Sequence, residues 1–213
     1  MRLPGFMTRG SRITTRTDLI NHLIPLRGYR RYLEIGVRDP RQNFDKILAA
    51  EKHGVDPNPK RTVTFKMTSD EFFARADQTS YDLVMIDGLH LAEQVERDVL
   101  GSLRLLSANG TLVLHDCNPL TEDAQTEDYD GKKHWNGTVW KAWVKLRATR
   151  ADLSMCVVDI DEGCGVIRRG AQALYALPSA SYEDLDYGFL TRHRNEALNL
   201  VSLDQFLGSE LGR

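Results

Sequence analysis

The feature that most constrains this chain is an alternation: short segments apolar on both faces recur between segments of helical period. A strand buried on one face alternates apolar and polar residues, whereas one covered on both faces reads as a continuous apolar run. "YRRYLEIGV", ending at Glu34 and Gly36, "YDLVMID" (81–87) and "TLVLHD" (111–116) are runs of the second kind. "HGVDPNP" is a shorter strand stopped by two prolines, and "RTVTFKM" (61–67) alternates as a further strand. Between them, helical spacing covers 17–26, 43–52 and 91–107, and "TSDEFFARA" opens with a Thr68 or Ser69 N-cap and acids in its first turn.

Strands alternating with helices predict a parallel sheet covered on both sides. After residue 116 the pattern changes. Residues 117–137 form a polar connection of a length typical of functional lids or disorder. A helix over 138–148 follows, and then "LSMCVVDID" and "GCGVIRR", joined by an Asp-Glu-Gly turn, read as an antiparallel hairpin. The expected fold class is α/β: a Rossmann-like doubly wound sheet of about seven strands, mostly parallel, with an antiparallel C-terminal hairpin. The 213 residues suit one well-buried domain and would cramp two. The expected division is an N-terminal arm and helix (1–29), a main domain (30–170) with a lid loop at 117–137, and a helical extension (171–213) packed on the outside.

A net charge of −2 and a pI near 6.3 argue against nucleic acid or an anionic membrane as partner. Arg2, Arg9, Arg12 and Arg16 form a short basic arm that reads as solvated surface. Three cysteines, Cys117, Cys156 and Cys164, lack zinc-ligand spacing, and an odd count suits a reducing compartment. No signal-peptide core and no run of membrane-spanning length is present, so a cytoplasmic location without a membrane span is expected. Whether the chain forms a homo-oligomer stays open.

Ligands of open α/β sheets bind beyond the carboxyl ends of the strands, where strand order reverses. The first strand ends in "LEIGV", and Asp56 closes the second, where an acid would meet a ribose diol. A dinucleotide would need a glycine-rich loop for its pyrophosphate. Here "GVRDPRQN" has one glycine and a proline. A nucleoside cofactor without phosphates needs only one close backbone approach, at Gly36, and S-adenosylmethionine has that shape. Glu34 and Asp87 join this candidate cofactor set, Asp87 also standing with His90 as a catalytic candidate, and Ser69 is placed for the adenine edge.

Asp87 and Asp116 end strands that would lie about 4.8 Å apart in a parallel sheet. Such carboxylates repel unless one is protonated or a cation intervenes. A hard divalent ion would resolve this and lower the pKa of a substrate hydroxyl, with Asn118 as a further oxygen donor. His90 has the intrinsic pKa of a general base. His115 competes for that role, but strand alternation turns it away from Asp116's side, toward packing or support of the substrate end. Trp135 and Asn136, at the end of the polar connection, suit a sugar face and its hydroxyls. Trp140 and Trp143 recur at helical spacing and read as core.

These stretches resemble the class I S-adenosylmethionine-dependent methyltransferases. "YLEIGVRDP" is similar to their first motif, "GVDPNP" to their acidic second-strand end, and "YDLVMIDGLH" and "GTLVLHDCNP" to their fourth- and fifth-strand motifs. "DGLHLAEQVERD", "LHDCNP" and "WNGTVWKA" resemble small-molecule O-methyltransferases of bacterial glycan type. The departure is Arg38 and Pro40 where glycines often sit. The resemblance implies S-adenosylmethionine as cofactor, a glycan or other small hydroxyl acceptor, and a polysaccharide-biosynthesis context. Metal-dependent members similar to catechol methyltransferases imply Asp87, Asp116 and Asn118 as ligands of Mg2+ or another divalent cation, with His90 as base. Three readings remain open: metal-assisted O-methylation, a metal-free version with His90 alone, and a cofactor-binding module without turnover.

Overall fold

Strand β1 (Arg31–Ile35) is the hub of the sheet. It pairs in parallel with β2 (Glu51–Val55) on one side and β3 (Tyr81–Ile86) on the other, and β4 (Leu106–Leu114) lies parallel to β3. Strand β6 (Cys164–Arg169) runs antiparallel to β4 and to β5 (Leu153–Val158), and the two-residue β7 (Leu200–Val201) pairs in parallel with β5. The order is β2-β1-β3-β4-β6-β5-β7, so strand order reverses between β1 and β3. This computed structural model describes residues 12–75, 79–129, 131, 134–177 and 181–211. Arg2 and Arg9 of the basic arm, and Asp130, Lys132 and Lys133 of the polar connection, lie outside them.

The continuous apolar runs have the expected cause. Leu83 and Met85 face one side of the sheet and Val84 and Ile86 the other, and all four are buried. The first face packs on α1 (Arg16–Arg27) through Leu19, Ile20 and Leu23. The second packs on α3 (Ala92–Leu105) through Val95 and Val99, and on α4 (Val139–Thr149) through Trp140 and Trp143, both fully buried as the helical spacing implies. A Thr15–Asp18 capping box starts α1 and Gly28, in the left-handed region, ends it. Helix α3 has no side-chain cap of its own; Thr138 Oγ1, 46 residues on, accepts from the Ala92 N–H at 2.8 Å.

Three expectations are corrected. Residues 43–52 are not a helix: a 3-10 turn covers Phe44–Lys46 and β2 already begins at Glu51, in register with Arg31. Of the segment's apolar residues only Ile47 is fully buried, Phe44 and Ala49 pack partly buried beside it, and Leu48 is 74% exposed, so the apolar stripe is too short to hold a helix down. The Lys52 ammonium takes the carbonyl oxygens of Phe44 and Ile47, at 2.8 and 3.1 Å, in place of helical partners. Residues 61–67 are not a strand either. Arg61, Thr62, Thr64 and Lys66 are exposed, and the segment makes one isolated β-bridge to β2, Val55 to Phe65, beside a Gly54 N–H to Thr64 Oγ1 bond at 3.1 Å. The sheet reaches seven strands through β7 instead. The C-terminal segment therefore belongs to the sheet and core: besides β7 it supplies α5 (Tyr187–Leu198), whose Leu190 and Leu198 are fully buried, and α6 (Leu203–Leu211). No described helix is long and apolar enough to cross a membrane.

Candidate functional site

The carboxyl ends of β1 to β4 open on a cavity of about 960 Å³. Every residue picked out in the sequence for cofactor, base or substrate lines it, from Glu34, Gly36, Asp56 and Ser69 at one end to Asp87, His90, His115, Asp116, Trp135 and Asn136 at the other. Asn118 does not.

At the first end, the ladder continues past the strands. Gly36 N–H donates to Val55 O and Asp87 N–H to Ile35 O, both at 2.9 Å. Gly36 has φ +89°, and a Cβ there would lie 2.2 Å from the Asp87 carbonyl oxygen. Only glycine lets β1 and β3 approach this closely at the point where strand order reverses. The absent second glycine has a counterpart: Arg38 itself adopts the left-handed region at φ 44°. Its N–H reaches one oxygen of Asp56 at 2.7 Å and the Asn58 N–H reaches the other at 2.7 Å. Asp56 is thus oriented by two backbone donors, with lone pairs left over.

Glu34 is buried and accepts from Tyr32 Oη at 2.5 Å and Asn43 Nδ2 at 2.8 Å. Burial pushes its carboxyl up to about 7 from 4.5, against the pull of those two bonds. A carboxyl whose folded pKa is raised favours folding below its ordinary pKa, and that contribution is lost as pH rises through the folded value. Between pH 5 and 9 the free protein should therefore lose about 3 kcal/mol from this group. Urea midpoints of wild type and Glu34→Gln across that range measure it: the difference between the two should shift in the variant's favour toward high pH.

Ser69 follows the Thr68 cap of α2 (Ser69–Phe73) and accepts from Gln94 Nε2 at 3.1 Å. Gln94 also donates to Asp98 at 2.9 Å. Burial raises Asp98 to about 6. Its signal in the sequence was an acid beside Val95 and Val99 on the buried stripe of α3.

At the other end, three carboxylates, two imidazoles and one guanidinium interlock. His90 Nε2 lies 3.2 Å from Asp87 Oδ1 and 3.4 Å from Asp116 Oδ2. His115 Nδ1 lies 2.9 Å from Asp116 Oδ2 and 3.5 Å from Asp87 Oδ1. This corrects the expectation from strand alternation. Asp116 sits in the left-handed region at φ 61°, which breaks the alternation and brings it beside His115. Burial opposes charge on both imidazoles, but the surrounding carboxylates win: His90 is raised and His115 raised well above its ordinary value. Burial pushes Asp87 up, and His115 and His90 outweigh it and hold it well below the usual carboxylate range. Asp161, on the β5–β6 turn, is held at about 2, where burial is outweighed by His115 and Arg16.

Asn118 is turned away: its Nδ2 donates to Asp159 at 3.1 Å and its Oδ1 accepts from Arg194. The amide at the site is Asn136, whose Nδ2 donates to Asp116 Oδ1 at 2.7 Å. Asn136 Oδ1 and His90 Nδ1 are buried without a hydrogen-bond partner. The segment 136–138 is locked to His90: Thr138 N–H donates to His90 O at 2.8 Å, and Gly137, at φ 58°, leaves no room for a Cβ against that carbonyl. The Trp135 ring stacks on the His90 ring, centroids 5.0 Å apart.

Arg16, read as solvated, is in the site. Its side chain is 22% exposed, with Nε 3.4 Å from Asp87 and Nη1 3.2 Å from Asp161. The sequence announces a helix start at Thr15 and Asp18 but carries no sign of where the first helical side chain points.

A family model described as a methyltransferase domain matches residues 21–117. No curated protein matches the sequence. Among solved structures, the chain is similar to the O-methyltransferase TomG from Streptomyces achromogenes, involved in tomaymycin synthesis and crystallised with S-adenosylmethionine. Identity is 14%, coverage 72% of this chain and 79% of that one, and the TM-score 0.51. It is also similar to the S-adenosylhomocysteine-bound methyltransferase PaMTH1 of Podospora anserina, with 16% identity, 76% and 80% coverage and a TM-score of 0.53. At such identities the likeness is one of fold. The family match, by contrast, is one of sequence: it runs from α1 through β4, over 97 of the 213 residues and the strands that frame the cavity, and that stretch matches a methyltransferase domain.

Proposed function

We propose that the protein moves the methyl group of S-adenosylmethionine to a hydroxyl of a small acceptor, a sugar or glycan unit, with His90 as the base. The observation that carries this reading is the juxtaposition in one cavity of an oriented ribose-type acid, Asp56, and a carboxylate-held imidazole, His90. Cavities that bind cofactor-sized ligands run to about 1,000 Å³, so this one has room for a nucleoside and a second small molecule. Gly36 admits the cofactor backbone-close, Asp56 takes the ribose diol, Ser69 meets the adenine edge, and Glu34 lies beside the ribose side of the cleft.

Methyl transfer is an in-line displacement: the acceptor oxygen forms a bond to the methyl carbon as the carbon–sulfur bond breaks, and the hydroxyl proton leaves. In the neutral tautomer set by Asp87, His90 keeps its proton on Nε2 and offers Nδ1 to the hydroxyl. Asn136 Oδ1 is an acceptor for a neighbouring hydroxyl, and Trp135 with Tyr129, 5.3 Å apart by ring centroid, gives the apolar face a sugar ring stacks on.

Asp87, His90 and Asp116 bring ligand atoms within 4.8 Å of one another, the spacing of a cation site. The charges around them do not suit a dication: Asp87 faces Arg16 and both imidazoles, and Asp116 is taken by Asn136 and His115. Proton removal therefore falls to His90 alone. The test is methyl transfer to a panel of neutral glycosides, catechols and amines with chelator present, read as S-adenosylhomocysteine release. Turnover with glycosides supports the reading. Cofactor binding without turnover on any acceptor would favour a binding module.

A further inference from the structure

We propose that Arg16 is the built-in cation of the acceptor end, a positioning residue supplying from within the chain the charge that Asp87 and Asp161 would otherwise draw from a divalent ion. This rests on the acceptor end being the Asp87–His90–Asp116 cluster.

Arg16 is the first residue of α1, and it touches three other elements. Its backbone N–H donates to Asp161 Oδ2 at 2.7 Å and its Nη1 meets the same oxygen at 3.2 Å. Nη1 also lies 3.2 Å from His115 Nε2, and Nε lies 3.4 Å from Asp87 Oδ2. The contact is held from behind: the Thr15–Asp18 box fixes the helix start, and Leu19, Ile20 and Leu23 are fully buried against the sheet. The turn that carries Asp161 is equally specified, with Asp161 and Glu162 both in the left-handed region. A guanidinium is a planar, permanently charged fork that can serve several acceptors at once. Placed between carboxylates drawn from β3 and the β5–β6 turn, it relieves their mutual repulsion. A dication beside it would pay strong like-charge repulsion in a buried site.

The consequence can be read without knowing the acceptor. Mn2+ is titrated into the purified full chain and followed by electron paramagnetic resonance. Wild type should bind no stoichiometric Mn2+. Arg16→Gln should gain a single site, tighter by at least about tenfold, that is lost again in Arg16→Gln/Asp87→Asn. Arg16→Lys, which keeps the charge, should behave as wild type. Stoichiometric Mn2+ binding by wild type would overturn the proposal by itself, even were Arg16→Gln to misfold. A folded Arg16→Gln that gains no site would overturn it as well. Affinity for S-adenosylhomocysteine, measured in parallel, separates this from the wider reading: loss of cofactor binding in wild type would sink the proposed function and leave the Mn2+ result standing.

Discussion

His90→Ala should lower kcat by about 10²–10⁴-fold, the range for loss of a positioned general base, with affinity for S-adenosylhomocysteine nearly unchanged. The expectation follows from where the ring is held. Its Nε2 is engaged by Asp87 and Asp116, its carbonyl by Thr138, and its face by Trp135. Removing the ring therefore removes the proton acceptor and leaves the nucleoside end untouched. The pH profile gives the sign. Burial disfavours the imidazolium, but the Asp87 bond and the charges of Asp116 and Asp87 raise the pKa above 6.5, with His115 opposing. A base must be unprotonated, so the rate should fall as pH drops through this raised value. Asp87→Asn should move that acid limb to lower pH. A profile flat across the histidine range, or His90→Ala at wild-type rate, would assign the proton to another group.

Asp56→Ala should weaken S-adenosylhomocysteine binding by about 10²–10⁴-fold, because hydrogen bonds to a charged partner contribute about 1.5–3 kcal/mol each and a ribose diol offers two. The fold should survive. Asp56 lies at the loop after β2, and its own partners are the N–H groups of Arg38 and Asn58, which water can serve once the carboxylate is gone. Calorimetry gives the affinity, and an unchanged urea midpoint shows that the loss is local. A variant that binds as tightly as wild type would remove Asp56 from the cofactor site.

What the sequence made legible was whatever a local pattern determines. Leu83 to Ile86 announced a strand buried on both faces, and a parallel sheet then had to bring Asp87 and Asp116 to one rim. Thr68 and Glu71 announced a helix start. The failures lie where a distant partner decides. Residues 43–52 have helical spacing, but the register of β2 against β1 claims Glu51 and leaves too short a span. Phe65 alternates like a strand residue yet finds only one bridge. His115 faces Asp116 because of one left-handed residue, which alternation cannot foresee. Asn118 sits next to the rim but is drawn off by Asp159 and by Arg194 from α5. Arg16 is 71 residues from Asp87 along the chain, and nothing short of the packed fold places it there.

The claim beneath all of this is that cofactor and acceptor share the cavity over the ends of β1 to β4. A crystal structure of the protein soaked with S-adenosylhomocysteine measures it most directly. The ribose should lie on Asp56, the adenine by Ser69, and the sulfur should face the Asp87–His90 side. The nucleoside found elsewhere, or bound with Asp56 and Gly36 untouched, would contradict it.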